Sequence, residues 1–104
     1  MVHFRVIREG DVVEERPKRS GYVYVVCPVG HNAYKIGRTV DLKSRMARMQ
    51  RNRSIRLEYA IVVWSNDYEQ LEERLIDKYQ PLKLDGDWFA LSEADLEYIR
   101  GLAS

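Results

Sequence analysis

Apolar and polar positions alternate with period two from Gly21 to Val26, in the order Gly-Tyr-Val-Tyr-Val-Val. That period predicts a strand with Tyr22, Tyr24 and Val26 on one face and Val23, Val25 and Cys27 on the other. Cys27-Pro28-Val29-Gly30-His31-Asn32 then reads as a turn, because Pro28 lacks an amide donor and Gly30 tolerates positive φ. The chain returns as Ala33-Tyr34-Lys35-Ile36-Gly37, so the two runs predict an antiparallel hairpin. Gly37, near the end of the second strand, leaves room for close approach to the backbone.

After the hairpin the period lengthens. Leu42, Met46 and Met49 recur at i, i+4 and i+7 behind Asp41, a good N-cap, which predicts an amphipathic helix over 41–52. Ile55 to Trp64 is rich in β-branched and aromatic residues and reads as a strand. Ser65 or Asn66 caps a second helix that runs to about Tyr79, with Pro81 as its stop. Residues 83–87 read as a loop and Trp88-Phe89-Ala90-Leu91 as a short extended piece, with Trp88 plugging the C-terminal core. Ser92, with Asp95 three positions on, opens a last short helix. At the other end, Val2 to Ile7 and Val12-Val13 predict a hairpin around a Gly-containing turn, and Glu14 to Ser20 a charged connector.

This order predicts an α+β fold. A small antiparallel or mixed central sheet with a β-β-α-β-α core is flanked by helices, with an N-terminal hairpin and a short C-terminal helix. The chain divides into an N-terminal hairpin and connector, residues 1–20, and a main domain, residues 21–104.

Length and composition narrow the class. The 104 residues suffice for one modest core, and 45% hydrophobic content argues for a folded globule. One cysteine and two histidines exclude a disulfide framework and a zinc cluster. No apolar run reaches the length of a membrane span or a signal peptide, so a reducing, cytoplasmic setting is expected.

The net charge of +1 conceals a strong asymmetry. Lys35, Arg38, Lys43, Arg45, Arg48, Arg51, Arg53 and Arg56 stand against Asp41 alone, whereas Glu58 to Glu97 holds eleven acidic residues and three basic ones. A basic surface of this kind points to a polyanion, and Arg38, Lys43, Arg48, Arg51 and Arg53 are the expected DNA contacts. The plainer alternative is a solvated basic helix.

Within the second helix, Tyr68, Leu71, Leu75, Ile76 and Tyr79 form the apolar stripe, and Glu72 falls inside it. A carboxylate there is costly unless a cation, a metal or several donors satisfy it, and a salt bridge to an arginine at the helix edge would serve. Arg45 lies beside the first helix's stripe, where its planar fork can reach over the sheet towards a phosphate. Tyr24 is a poor base at its ordinary pKa of about 10, but Lys35 and Arg45 nearby would favour its phenolate. Otherwise the tyrosines are ordinary strand aromatics.

Taken in order, Tyr22-Val23-Tyr24, Tyr34-Lys35-Ile36-Gly37-Arg38-Thr39, Arg45 and Leu71-Glu72-x-x-Leu75-Ile76 resemble the GIY-YIG nuclease superfamily. The closer likeness is to its short phage and bacterial branch, and it extends from Gly21 to about Phe89. It departs from the widest pattern in three places: Lys35 replaces a tyrosine, Met49 replaces a histidine, and an asparagine after the second helix is missing. The resemblance implies a three-stranded central sheet and a metal-dependent endonuclease that hydrolyses phosphodiester bonds in DNA. In that reading Glu72 holds Mg²⁺ (or Mn²⁺), Tyr24 with Lys35 activates water, and Arg45 neutralises the phosphate. An inactive nucleic-acid-binding module is the alternative, since a fold can outlast its chemistry. A protein-interaction domain built on the acidic half would leave the basic cluster unexplained.

Overall fold

The computed structural model describes residues 3–8, 11–15 and 17–103. Strands β1 (His3–Arg8) and β2 (Asp11–Glu15) form a separate antiparallel hairpin, and the turn expected between them lies outside the described residues. The remainder comprises β3 (Gly21–Pro28), β4 (Tyr34–Thr39), α1 (Leu42–Gln50), β5 (Leu57–Ser65) and α2 (Tyr68–Lys78). A 3₁₀ turn (Gln80–Leu82), β6 (Lys83–Asp85), β7 (Trp88–Phe89) and α3 (Glu93–Gly101) complete it. Strands β3 to β7 make one sheet in the order β5-β3-β4-β7-β6, antiparallel throughout. The fold is thus α+β, with five strands where the resemblance implied three.

Alternation along β3 divides the interior in two. Val23 and Val25 point into the larger core, joined by Ile36, Ile61, Val63, Leu75, Tyr79, Phe89, Leu91, Leu96 and Ile99 from the sheet, α2 and α3. Tyr24 and Val26 point the other way, onto Leu57, under Leu42, Met46 and Met49 of α1. The sheet is therefore covered on both faces, by α2 and α3 on one side and α1 on the other.

Caps account for most boundaries. The Asp41 carboxylate accepts from the Ser44 amide at 3.1 Å, and Ser92 and Asp95 form a full capping box on α3. The cap of α2 differs from expectation. β5 runs on to Ser65, paired with Gly21, and Asp67 accepts the Gln70 amide while the Ser65 hydroxyl shapes the turn by accepting the Asp67 amide. β3 likewise runs past the expected turn start to Pro28, where the missing donor falls at the strand end, and Gly30 turns at φ +83°.

The stretch expected as a loop, 83–87, is instead the first arm of a small hairpin. Lys83–Asp85 pairs with Trp88–Phe89 around Gly86 at φ +55°, a turn that three- and two-residue strands cannot announce by periodicity. Trp88 is not a plug for the C-terminal core. It packs on the α1 face, half-buried, with Arg53 over its ring at 5.7 Å, while its neighbour Phe89 fills the larger core at 1% exposure.

Candidate functional site

The site arises where β7 stops. β7 pairs only with Tyr34 and Lys35, so among the described residues no strand covers the outer side of β4 beyond Lys35. There α1 and α2, from opposite faces of the sheet, border one open cleft of about 680 Å³. Tyr24, Lys35, Gly37, Arg38, Arg45, Arg48, Tyr68, Glu72 and Asp87 line it. All four residues expected to carry chemistry (Tyr24, Lys35, Arg45 and Glu72) thus face one concavity.

Gly37 explains how Tyr24 reaches it. The two residues are register partners on β3 and β4, and a Cβ built on Gly37 would run into the Tyr24 ring and hydroxyl. With no side chain at 37, the ring lies across β4 and its hydroxyl meets the cleft. The approach to the backbone that Gly37 permits is made by Tyr24 itself. Tyr59 braces the other side, in edge contact with the Tyr24 ring at 5.4 Å and donating to the Leu42 carbonyl at 2.6 Å. One aromatic residue therefore ties the tyrosine to the start of α1.

Burial dominates the Tyr24 hydroxyl. Desolvation raises its pKa above the ordinary value, Arg45 opposes the shift, and Glu72 and Asp87 reinforce it. The nearby cations were expected to favour the phenolate, but the cost of burying that charge outweighs them. Lys35 is turned to Asp87 instead, Nζ to carboxylate oxygen 3.9 Å. Arg45 projects from the first turns of α1, and its buried Nε has no hydrogen-bond partner among the described residues. An acceptor arriving in the cleft would satisfy it.

Glu72 has a protein partner. Arg38, on the larger-core face of β4, donates to its Oε1 at 2.7 Å and lies 3.8 Å from Glu69. The Arg38 guanidinium also sits 5.5 Å from the centre of the Tyr68 ring, which in turn rests against Gly21. An arginine expected to contact DNA is thus engaged by carboxylates. Both partners' pKa values are raised: burial pushes Glu72 up against the pull of Arg38, and the carboxylates outweigh burial at Arg38. The asymmetry is geometric, since the Glu72 side chain is 16% exposed and that of Arg38 36%. The deeper group bears the desolvation cost, and one arginine does not cancel it.

That residual cost is what a bound cation would relieve. Among the described residues no group of three or more His, Cys, Asp or Glu converges on one point. The carboxylates at the cleft are Glu72 and, at the mouth, Asp87. One or two carboxylates suit Mg²⁺ or Mn²⁺, hard ions that keep several waters and take phosphate oxygens as ligands.

The remaining basic residues extend the surface outward. Lys43, Arg48, Arg51 and Arg53 are exposed, and Lys35, Arg45, Arg48, Arg51 and Arg53 line a second hollow of about 310 Å³ that shares its first three residues with the cleft. Lys43 lines neither. Sequence reasoning missed Asp87, Tyr59 and Tyr68. Asp87 enters only through the β7–β4 pairing, and Tyr59 and Tyr68 looked like ordinary members of a strand and a helix stripe.

The profile of one protein family, the T5orf172 domain, matches residues 21–103. This is a family associated with phage nuclease-type domains. The match begins at the first residue of β3 and ends two residues after α3. Comparison with curated proteins and with solved structures gave no match. No helix among the described residues is long and apolar enough to cross a membrane.

Proposed function

Since the chain belongs to the T5orf172 domain family, we propose that it is a metal-dependent endonuclease of the GIY-YIG type that hydrolyses phosphodiester bonds in DNA. One observation carries the reading. A desolvated, incompletely compensated carboxylate, Glu72, shares a cleft with a buried arginine Nε that lacks an acceptor. A phosphodiester with a divalent ion supplies what each lacks, an acceptor for Arg45 and a cation for Glu72.

The roles follow from position. Arg45 holds the non-bridging oxygens of the scissile phosphate and balances the charge that builds on them. Glu72 holds Mg²⁺ or Mn²⁺, aided from the mouth by Asp87 through coordinated water. When bound, that ion polarises the phosphate and stabilises the leaving oxygen. Tyr24 is protonated in the empty cleft and orients the attacking water by hydrogen bonding. It becomes a base only when the negative influence of Glu72 on its hydroxyl is cancelled, leaving Arg45 to favour the phenolate. Lys35, paired with Asp87, places a positive charge beside the phosphate path. Arg48, Arg51 and Arg53 carry the flanking backbone, with Lys43 further out on α1.

The Arg38–Glu72 bond favours a second reading, a module that binds nucleic acid without cutting it, in which the carboxylate is a structural partner. Plasmid nicking with Mg²⁺ or Mn²⁺, against a chelator control, separates the two. The endonuclease reading expects metal-dependent conversion of supercoiled to open-circle DNA, and no conversion with either metal at any pH leaves the binding module.

A further inference from the structure

Tyr22 and Trp64 stand opposite each other on β3 and β5, with ring centres 5.1 Å apart at an interplanar angle of 72°. Both share the sheet face of Tyr24, yet neither belongs to the apolar cluster that α1 covers. Trp64 is 56% exposed, more than any other aromatic side chain described in the chain's sheet, and Val40 beside the cleft is 68% exposed. An uncovered tryptophan on an edge strand is an aggregation liability unless something uses it.

Three features say what would use it. Tyr22 is two residues from Tyr24 along one strand face, a separation of about 6.6 Å. It pairs across the sheet with Thr39, which with Val40 and Asp41 lines the rim of the cleft, so aromatic pair and cleft are continuous. The neighbouring cations, Arg45 and Arg48, favour a polyanionic chain, and Asp41 is occupied in capping α1. A phosphate seated at Arg45 therefore places an adjacent base beside the Tyr22–Trp64 pair.

We propose that Tyr22 and Trp64 form a stacking platform for a nucleobase next to the scissile phosphate, and that the substrate is DNA with unpaired nucleotides there: single-stranded, gapped or branched. A base inside a duplex is already stacked on both faces and offers none to an outside ring, whereas an unpaired base does. Stacking of this kind is worth roughly a tenfold change in affinity or more for each base. The proposal rests on the DNA reading above but not on hydrolysis.

The chain has two tryptophans, so a Trp88→Phe background makes Trp64 the sole reporter. In the free protein, iodide should quench its fluorescence. Titration in EDTA with oligothymidylate should quench it saturably, and a blunt duplex should not. Trp64→Ala should weaken oligothymidylate binding about tenfold and leave duplex binding unchanged, while Trp64→Phe should restore most of the loss. A Trp64 shielded from iodide, an equal loss for both DNA forms, or no loss for either overturns the platform. Absence of DNA binding overturns it together with the DNA reading. Normal stacking without nicking overturns hydrolysis alone.

Discussion

The two faces of the sheet are made by one strand and differ in kind. On the α2–α3 face, eleven buried residues, Val23 and Val25 among them, close a continuous apolar core. On the α1 face only Tyr24, Val26 and Leu57 are buried, and one of these carries a hydroxyl into a basic cleft. Stability is thus concentrated on one face, and chemistry on the other and at the β4 edge. The lesson lies in the alternation of β3: moving one residue along the strand crosses from packing to function. Glu72 is the exception, since α2 packs on the stable face but delivers its carboxylate around the edge.

If this division is real, substitutions on the two faces should fail differently. Phe89→Ala, in the larger core, should cost about 3–5 kcal/mol in a denaturant titration. Arg45→Ala should lower nicking about 10²–10³-fold, the loss associated with one group that stabilises developing charge. Its folding stability should change by less than about 1 kcal/mol, because its buried Nε has no partner to lose. An Arg45→Ala protein that unfolds easily but cuts normally would erase the distinction.

Gly37→Ala tests the point where the faces meet. The added methyl collides with the Tyr24 ring, so the expected cost is about 1–3 kcal/mol of overpacking, with a larger loss of activity as the hydroxyl leaves the cleft. A second change, Tyr24→Ala, should recover stability by vacating that space without recovering activity. Recovery of both would remove Tyr24 from the mechanism.

The smallest effect is a shift in pH dependence. Burial raises the Glu72 pKa, so the ionised form needed to hold a cation is lost, as pH falls, above the ordinary carboxylate range. Arg38 opposes that rise, so Arg38→Gln should move the acid limb of the activity profile to higher pH. The same direction sets stability. A raised carboxyl pKa disfavours the folded state above that pKa, and the penalty disappears as pH falls through it. An acid limb that stays in place in Arg38→Gln would detach Glu72 from the step that limits the rate.

Much of this organisation is legible in the sequence because it is local. The period of β3, the Asp41 and Ser92 caps and the position of Glu72 in its stripe need only neighbouring residues. What stayed hidden depends on pairing between distant segments. The β6–β7 hairpin is too short to show a period, yet its docking on β4 brings in Asp87, ends the sheet cover and sends Trp88 to the α1 face. Arg38 has no mark of a carboxylate partner until β4 and α2 are set side by side. The Tyr24 pKa was misjudged because charge can be counted along a chain and desolvation cannot. Both candidate caps of α2 fell short of Asp67, since the end of β5 is fixed by its pairing with Gly21.

The central claim, that Glu72 serves the cleft rather than the fold, is tested most directly by Glu72→Gln, read for nicking and melting temperature on the same preparation. The substitution keeps volume and an acceptor for Arg38 but removes the charge that would hold a divalent ion. The account predicts that metal-dependent nicking is abolished, DNA binding in EDTA is retained, and the melting temperature stays level or rises as the desolvation cost is removed. A marked fall in melting temperature with nuclease activity unchanged would contradict it.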